Sequence, residues 1–160
     1  LDYLEGLEET IKHAVKKEQK KLAKEYQEQQ EYYKKLNAQG SLWWKNRVIE
    51  LKNRNDLKSK RHLNYISLLF FMNINGMLNQ GALPQAKVSL EIYELADPEN
   101  PDVDYLYACY FSLSGDTAKA MSCLDKCIKK DFQDFNKLED DNRFFNFRNH
   151  MGFQKILDNN

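Results

Sequence analysis

The sequence predicts an all-α protein, and three observations carry that prediction. Helix breakers are scarce, with 3 prolines and 6 glycines among 160 residues. Apolar residues recur at gaps of three, four and seven, which places them on one side of a helix. Finally, Gly81 and Gly115, Ala86 and Ala120, and Leu90 and Leu124 are each 34 positions apart. An echo of that length is the mark of stacked helical units.

Composition narrows the function classes. The length suits about one domain by the prior of roughly 100–200 residues, and a chain of this size needs no covalent staple. Lys and Arg total 24, and so do Asp and Glu. A net charge of zero argues against bulk attraction to nucleic acid or anionic lipid. The longest apolar run, near Tyr65–Met72, is well short of the roughly 18 residues of a membrane span. The start at Leu1, with neither initiator Met nor apolar leader, reads as a fragment or a processed form.

Residues 2–37 contain no proline and form the first expected helix. Leu4, Leu7, Ile11, Val15, Leu22, Tyr26, Tyr33 and Leu36 make a narrow stripe along it. Lys16, Lys17, Lys20, Lys21 and Lys24 lie opposite, interleaved with Glu18, Glu25, Glu28 and Glu31, so that side reads as a solvated face. Gly40 ends this helix and Ser41 caps the next, whose apolar residues are Leu42, Trp43, Trp44, Val48, Ile49 and Leu51. Asn53, Asn55 and Asp56 break the pattern, and Asp56 is a candidate cap for a helix from Leu57 to about Asn79. Tyr65–Met72 is apolar nearly all round, which calls for burial on more than one side.

The echo falls over residues 81–124. Gly81 and Gly115 suit the left-handed conformation that closes a helix. Ala86 and Ala120 suit a close helix crossing, and Leu90 and Leu124 fill the same face one turn later. Ile92 and Lys126 are expected to face outward or sideways. Pro84 opens one helix and Asp97-Pro98 stops it. Asn100 caps the next, with Pro101 at its first position and Asp102 and Asp104 in its dipole-favoured first turn. Asp116 caps the last helix of the pair, which ends at Lys129 and Lys130.

This pattern resembles the tetratricopeptide repeat. One block carries it on Met77, Gly81, Ala86, Leu90, Tyr93 and Pro98. The other does so on Tyr107-Ala108, Phe111, Gly115, Ala120, Leu124 and Cys127. The family's early aromatic is matched by Phe70, but Asp104 stands at its place in the second block. Its small residue is Ala108 in one block and Ile74 in the other, and Phe132 replaces Pro98. Leu138, Asp141, Phe144, Phe147, Arg148, Phe153 and Leu157 resemble the closing helices of bacterial proteins of this type. Continuing the period reaches Asn149 and Gln154 in one direction, Arg47 and Lys52 in the other, so two repeats are expected.

The resemblance implies an α–α superhelix of two hairpins, residues 67–100 and 101–134, closed by a cap over 135–158. Residues 1–65 would supply the long helix and a packing helix, since two repeats bury their faces only against neighbours. It also implies a concave peptide-binding groove. Leu68, Phe71, Asn75, Leu78 and Asn79 would line it from the first block. Asp102, Tyr105, Cys109, Ser112 and Leu113 would do so from the second. Asn75 stands where the family grips a peptide backbone. Phe71 and Tyr105 stand where chaperone-binding members carry a basic carboxylate clamp. An apolar or aromatic segment is the implied ligand. The residues do not decide whether this groove is open or filled by the N-terminal helices.

No residue set suggests catalysis. His13, His62 and His150 fall in separate regions. Cys109, Cys123 and Cys127 read as small core residues without a zinc-like ligand set. Gly76 and Gly81 lack the neighbours of a phosphate loop, and Asp140-Asp141 reads as capping. The expectation is a non-enzymatic scaffold, without cofactor or metal, that binds a protein or peptide and no nucleic acid. The alternative is a structural or oligomerising module acting through residues 2–37. An exported (periplasmic or lipid-anchored) bacterial location and a cytoplasmic one are equally compatible.

Overall fold

The computed structural model describes residues 2–159, and among them there are helices and turns but no strand. The all-α prediction holds. The described chain divides into two compact units, Leu1–Gly40 and Ser41–Asn160.

The first unit is a single helix, α1 (Asp2–Asn37), of 36 residues. Three ion pairs support its surface at helical spacing: Lys12–Glu8, Lys21–Glu18 and Lys24–Glu28. Such exposed pairs contribute little each. From Leu4 to Tyr26 its apolar stripe is exposed, with Leu4 at 66% and Leu22 at 56%, and Leu36 is half-buried. The side chain of Tyr33, which belongs to the expected stripe, lies outside the described residues.

The second unit begins with α2 (Ser41–Arg54), where Ser41 is already helical rather than the residue before the helix. A displacement of one position is ordinary at helix ends. Trp44, Val48 and Leu51, one turn apart, form its buried face. Trp44 meets the edge of Phe70 at 5.2 Å on α3 (Leu57–Asn79). Asp56 starts α3, its carboxylate accepting from the Ser59 amide at 2.9 Å.

Gly81 follows α3 with φ 71°, and α4 (Leu83–Ala96) returns antiparallel to it. The second hairpin repeats the device, with α5 (Pro101–Leu113), Gly115 at φ 82°, and α6 (Thr117–Lys129). Both glycines take a backbone conformation that a Cβ disfavours. Ala86, Ala120 and Leu90 are 0% exposed and Leu124 is 1% exposed, so the echoed residues form the matching cores. Asn100 and Asp116 cap α5 and α6 as expected.

Two details depart from expectation. Ile92 is 2% exposed rather than outward-facing, because α4 packs against α2 as well as α3. The segment Tyr65–Met72 is buried on one side only: Ile66 and Phe70 are inside, but Leu68 is 58% and Met72 64% exposed. The second hairpin meets α3 through α5 without wrapping that side of it. Asp104, at the position where the first block has Phe70, is 8% exposed and pairs with Lys130 at 2.6 Å. The ion pair thus joins the start of α5 to the end of α6.

The cap consists of α7 (Phe135–Asp140), a 3-10 turn over Asn142–Phe147, and α8 (Met151–Asp158). Its core is aromatic. Phe144, fully buried, lies 5.5 Å from Tyr105, 5.4 Å from Phe147 and 5.8 Å from Phe153. Phe132 stacks on Tyr105 at 5.1 Å. Such pairs add directional energy to simple burial.

Candidate binding surface

The inner sides of α3 and α5 are where the resemblance places a groove. Along α5, the chain's own cap occupies that place. Tyr105 donates its hydroxyl hydrogen bond to Asp141 Oδ2 at 2.7 Å. Arg143 grips the same carboxylate through Nη2 at 2.6 Å and Nε at 2.9 Å. Its Nη1 donates to Asn75 Oδ1 at 2.8 Å, reaching α3. Ser112 Oγ donates to the Arg143 carbonyl at 2.6 Å. Asn146 Nδ2 donates to the Ser112 carbonyl at 3.3 Å.

Electrostatics suit this closed arrangement. Burial works to raise the Asp141 pKa, but hydrogen bonds from Arg143 and Tyr105 outweigh it and hold the carboxyl below its usual value. Burial works against the charge on Arg143, yet its bonds to Asp141 keep it firmly protonated. The Tyr105 phenol is pushed up by burial, then by Cys109 and Asp141. Lys137 Nζ stands over the Tyr105 ring at 4.7 Å and the Phe71 ring at 5.3 Å, a cation–π contact with both.

The expected groove residues therefore part company. Tyr105 and Cys109 are 0% exposed and Ser112 1%, all beneath the cap. Asn75 grips Arg143 of the same chain, while its Nδ2 donates to the Phe71 carbonyl at 2.8 Å. Leu78 is 2% exposed, on the buried side of α3 with Ile74. Leu68 and the half-buried Phe71 remain accessible, beside a crevice bounded by Asp97 and Asp102. The cap residues Lys137 and Arg143 were not foreseen as occupants of the groove. No local pattern reveals a contact between Arg143 and Asn75, 68 positions apart.

Among the described residues, His, Cys, Asp and Glu side chains do not gather in threes as a metal would need. His13 and His62 are exposed, and His150 caps α8 by accepting from the Gly152 amide at 3.2 Å. Burial pushes the thiols up, Cys123 to about 11 and Cys127 to about 12, with Cys109 higher still. They are protonated and poorly nucleophilic at neutral pH. No described helix is long and apolar enough to cross a membrane. No family model, curated protein or solved structure matches the chain.

Proposed function

We propose that this chain is a non-catalytic interaction scaffold of tetratricopeptide type, which takes a peptide or protein segment on the inner side of α3. The observation that carries the reading is the exposure of Leu68 at 58% and Met72 at 64%, one turn apart beside Phe71. Large apolar side chains clustered on a rigid helix are typical of protein-binding surfaces. The cap confines the accessible surface to the α3 side, which is narrower than the groove that the resemblance implies. The test is capture from the native cell by the wild type and by the Leu68→Glu, Met72→Glu variant. Both side chains are exposed, so helicity and melting temperature are expected to persist while capture is lost. Equal capture by both chains sinks the reading.

A second reading is self-association through α1, favoured by its stripe: Leu7 is 46%, Ile11 55%, Val15 49% and Tyr26 62% exposed. Glutamine at Gln19 and Gln29 weakens it as a coiled-coil seam. Sedimentation of the whole chain and of Ile11→Glu, Leu22→Glu separates the readings, since identical monomer masses exclude assembly through this helix.

A further inference from the structure

The crevice beside α3 has a volume of about 330 Å³. Leu68 and Phe71 of α3 form its apolar wall, and Asp97 and Asp102, on either side of the α4–α5 turn, bring two carboxylates to it. Tyr93 of α4 also lines it. This volume is near the low end of the roughly 300–1,000 Å³ of small-ligand pockets. It suits one long side chain better than a cofactor.

The polar groups around the crevice are incompletely used. Asp102 has its amide bonded to Asn100 Oδ1 at 2.9 Å, but no ion pair reaches its carboxylate among the described residues. Asp97 uses Oδ2 to accept from Asn100 Nδ2 at 2.9 Å, which leaves Oδ1 available. The neighbouring cations are engaged elsewhere. Lys130 holds Asp104 and the Pro98 carbonyl, and Lys137 stands over the Phe71 and Tyr105 rings.

Tyr93 is an independent pointer to a ligand. The residue is 2% exposed, yet its hydroxyl has no hydrogen-bond partner among the described residues. The hydroxyl opens on the crevice, where a side-chain oxygen without a partner among the described residues is available to a ligand atom. Burial, then the fields of Asp102 and Asp97, push the phenol up, so it remains a neutral donor and acceptor.

We infer that this crevice is a subsite for a lysine or arginine side chain within a partner's peptide segment. The aliphatic stem lies along Leu68 and Phe71, as long basic side chains do on apolar surface. The cation sits between Asp97 and Asp102 and donates one N–H to the Tyr93 hydroxyl. Paired carboxylates exclude a phosphate or a C-terminal carboxylate here. The inference rests on the scaffold reading and gives it a chemical preference.

The test is an NMR titration of the ¹⁵N-labelled full chain with three short amidated peptides, acetyl-Ala-Leu-Arg-Leu-Ala and its citrulline and glutamate counterparts. The arginine peptide is expected to shift the amides of Ser67, Asn100 and Asp102 saturably. Replacing the guanidinium by neutral citrulline is expected to weaken binding by roughly tenfold, and glutamate to abolish it. Asp102→Asn is expected to weaken the arginine peptide by a similar factor of about ten. Tyr93→Phe is expected to weaken it several-fold with the fold intact, because the lost hydroxyl has no partner among the described residues. Equal affinity for the citrulline peptide, or no effect of either substitution, overturns the inference. So does a concentration-dependent mass of the unliganded chain that Asp102→Asn abolishes, since a second copy's lysine would then hold the site. If capture depends on Leu68 and Met72 but the arginine peptide does not bind, this subsite fails and the scaffold reading stands.

Discussion

Replacing Arg143 by alanine leaves the Asp141 carboxylate between the cap and α5 without a countercharge. The two side chains are 12% and 11% exposed, so solvent screens them little. Removing one partner of a buried pair costs about 3–5 kcal/mol. Asp141 keeps hydrogen bonds from the Tyr105 hydroxyl and the residue-143 amide. The lower end, about 3 kcal/mol, is therefore expected. Measured against a total stability of about 5–15 kcal/mol, that is a large loss.

The pH dependence identifies its cause. In the wild type Asp141 titrates below its ordinary value of 3.8. Its contribution is complete above that unfolded value and fades as pH falls through the lower folded one. Without the Arg143 side chain, burial is opposed only by the bonds from Tyr105 and the residue-143 amide, and the folded value is expected to rise above the unfolded one. The variant then loses stability as pH rises, so its deficit is largest near neutrality and shrinks towards about pH 4. Urea unfolding followed by far-UV circular dichroism at pH 4, 5.5 and 7 measures this. Asp141→Asn added to the variant is expected to recover part of the loss at pH 7. A deficit under about 1 kcal/mol, the range of exposed pairs, or one equal at pH 4 and pH 7, refutes the buried-latch argument.

Four further outcomes are expected. Gly81→Ala and Gly115→Ala each meet open space but keep φ at 71° and 82°, so each costs about 1–2 kcal/mol of backbone strain, with asparagine milder at both sites; chemical denaturation measures it, and a neutral Gly115→Ala contradicts the left-handed turn. Ala120→Leu overfills the crossing of α5 and α6, where Ala120 is 0% exposed. It is expected to cost about 1–3 kcal/mol, read as a lowered melting temperature. Thiol labelling at pH 8 is expected to modify half-buried Cys123 first and Cys109 last. Arg143→Ala is expected to accelerate Cys109 by loosening the cap above it; an unchanged Cys109 rate contradicts that placement.

Much of the helix plan was legible because its signals are local. The ends of α1 and α3 follow from charge, apolar spacing and the Asp56 cap. The turns at Gly81 and Gly115 follow from the need for a positive φ, and Ala86 and Ala120 from their small volume. Where the reading failed, the deciding contact was distant. Ile92 was expected to face outward or sideways and lies inside because α2 packs on α4. Tyr65–Met72 was expected to be buried on more than one side, yet Leu68 and Met72 are exposed because none of the described helices covers that side of α3.

The proposed binding surface shows the same division. Phe71 and Leu68 were picked out by position along α3, and they remain accessible. Tyr105, Cys109 and Ser112 were picked out by the same rule, yet they lie under the cap. By itself, then, the sequence determined the helices, their caps, the two turns and the small-residue crossings, each set by the chemistry of a few neighbouring residues. Only the tertiary structure decided what the inner side of α5 touches, because Asp141 and Arg143 satisfy buried polar groups that are remote in the chain. It likewise decided that Tyr93, a core aromatic in the periodic pattern, stands beside the carboxylates of Asp97 and Asp102.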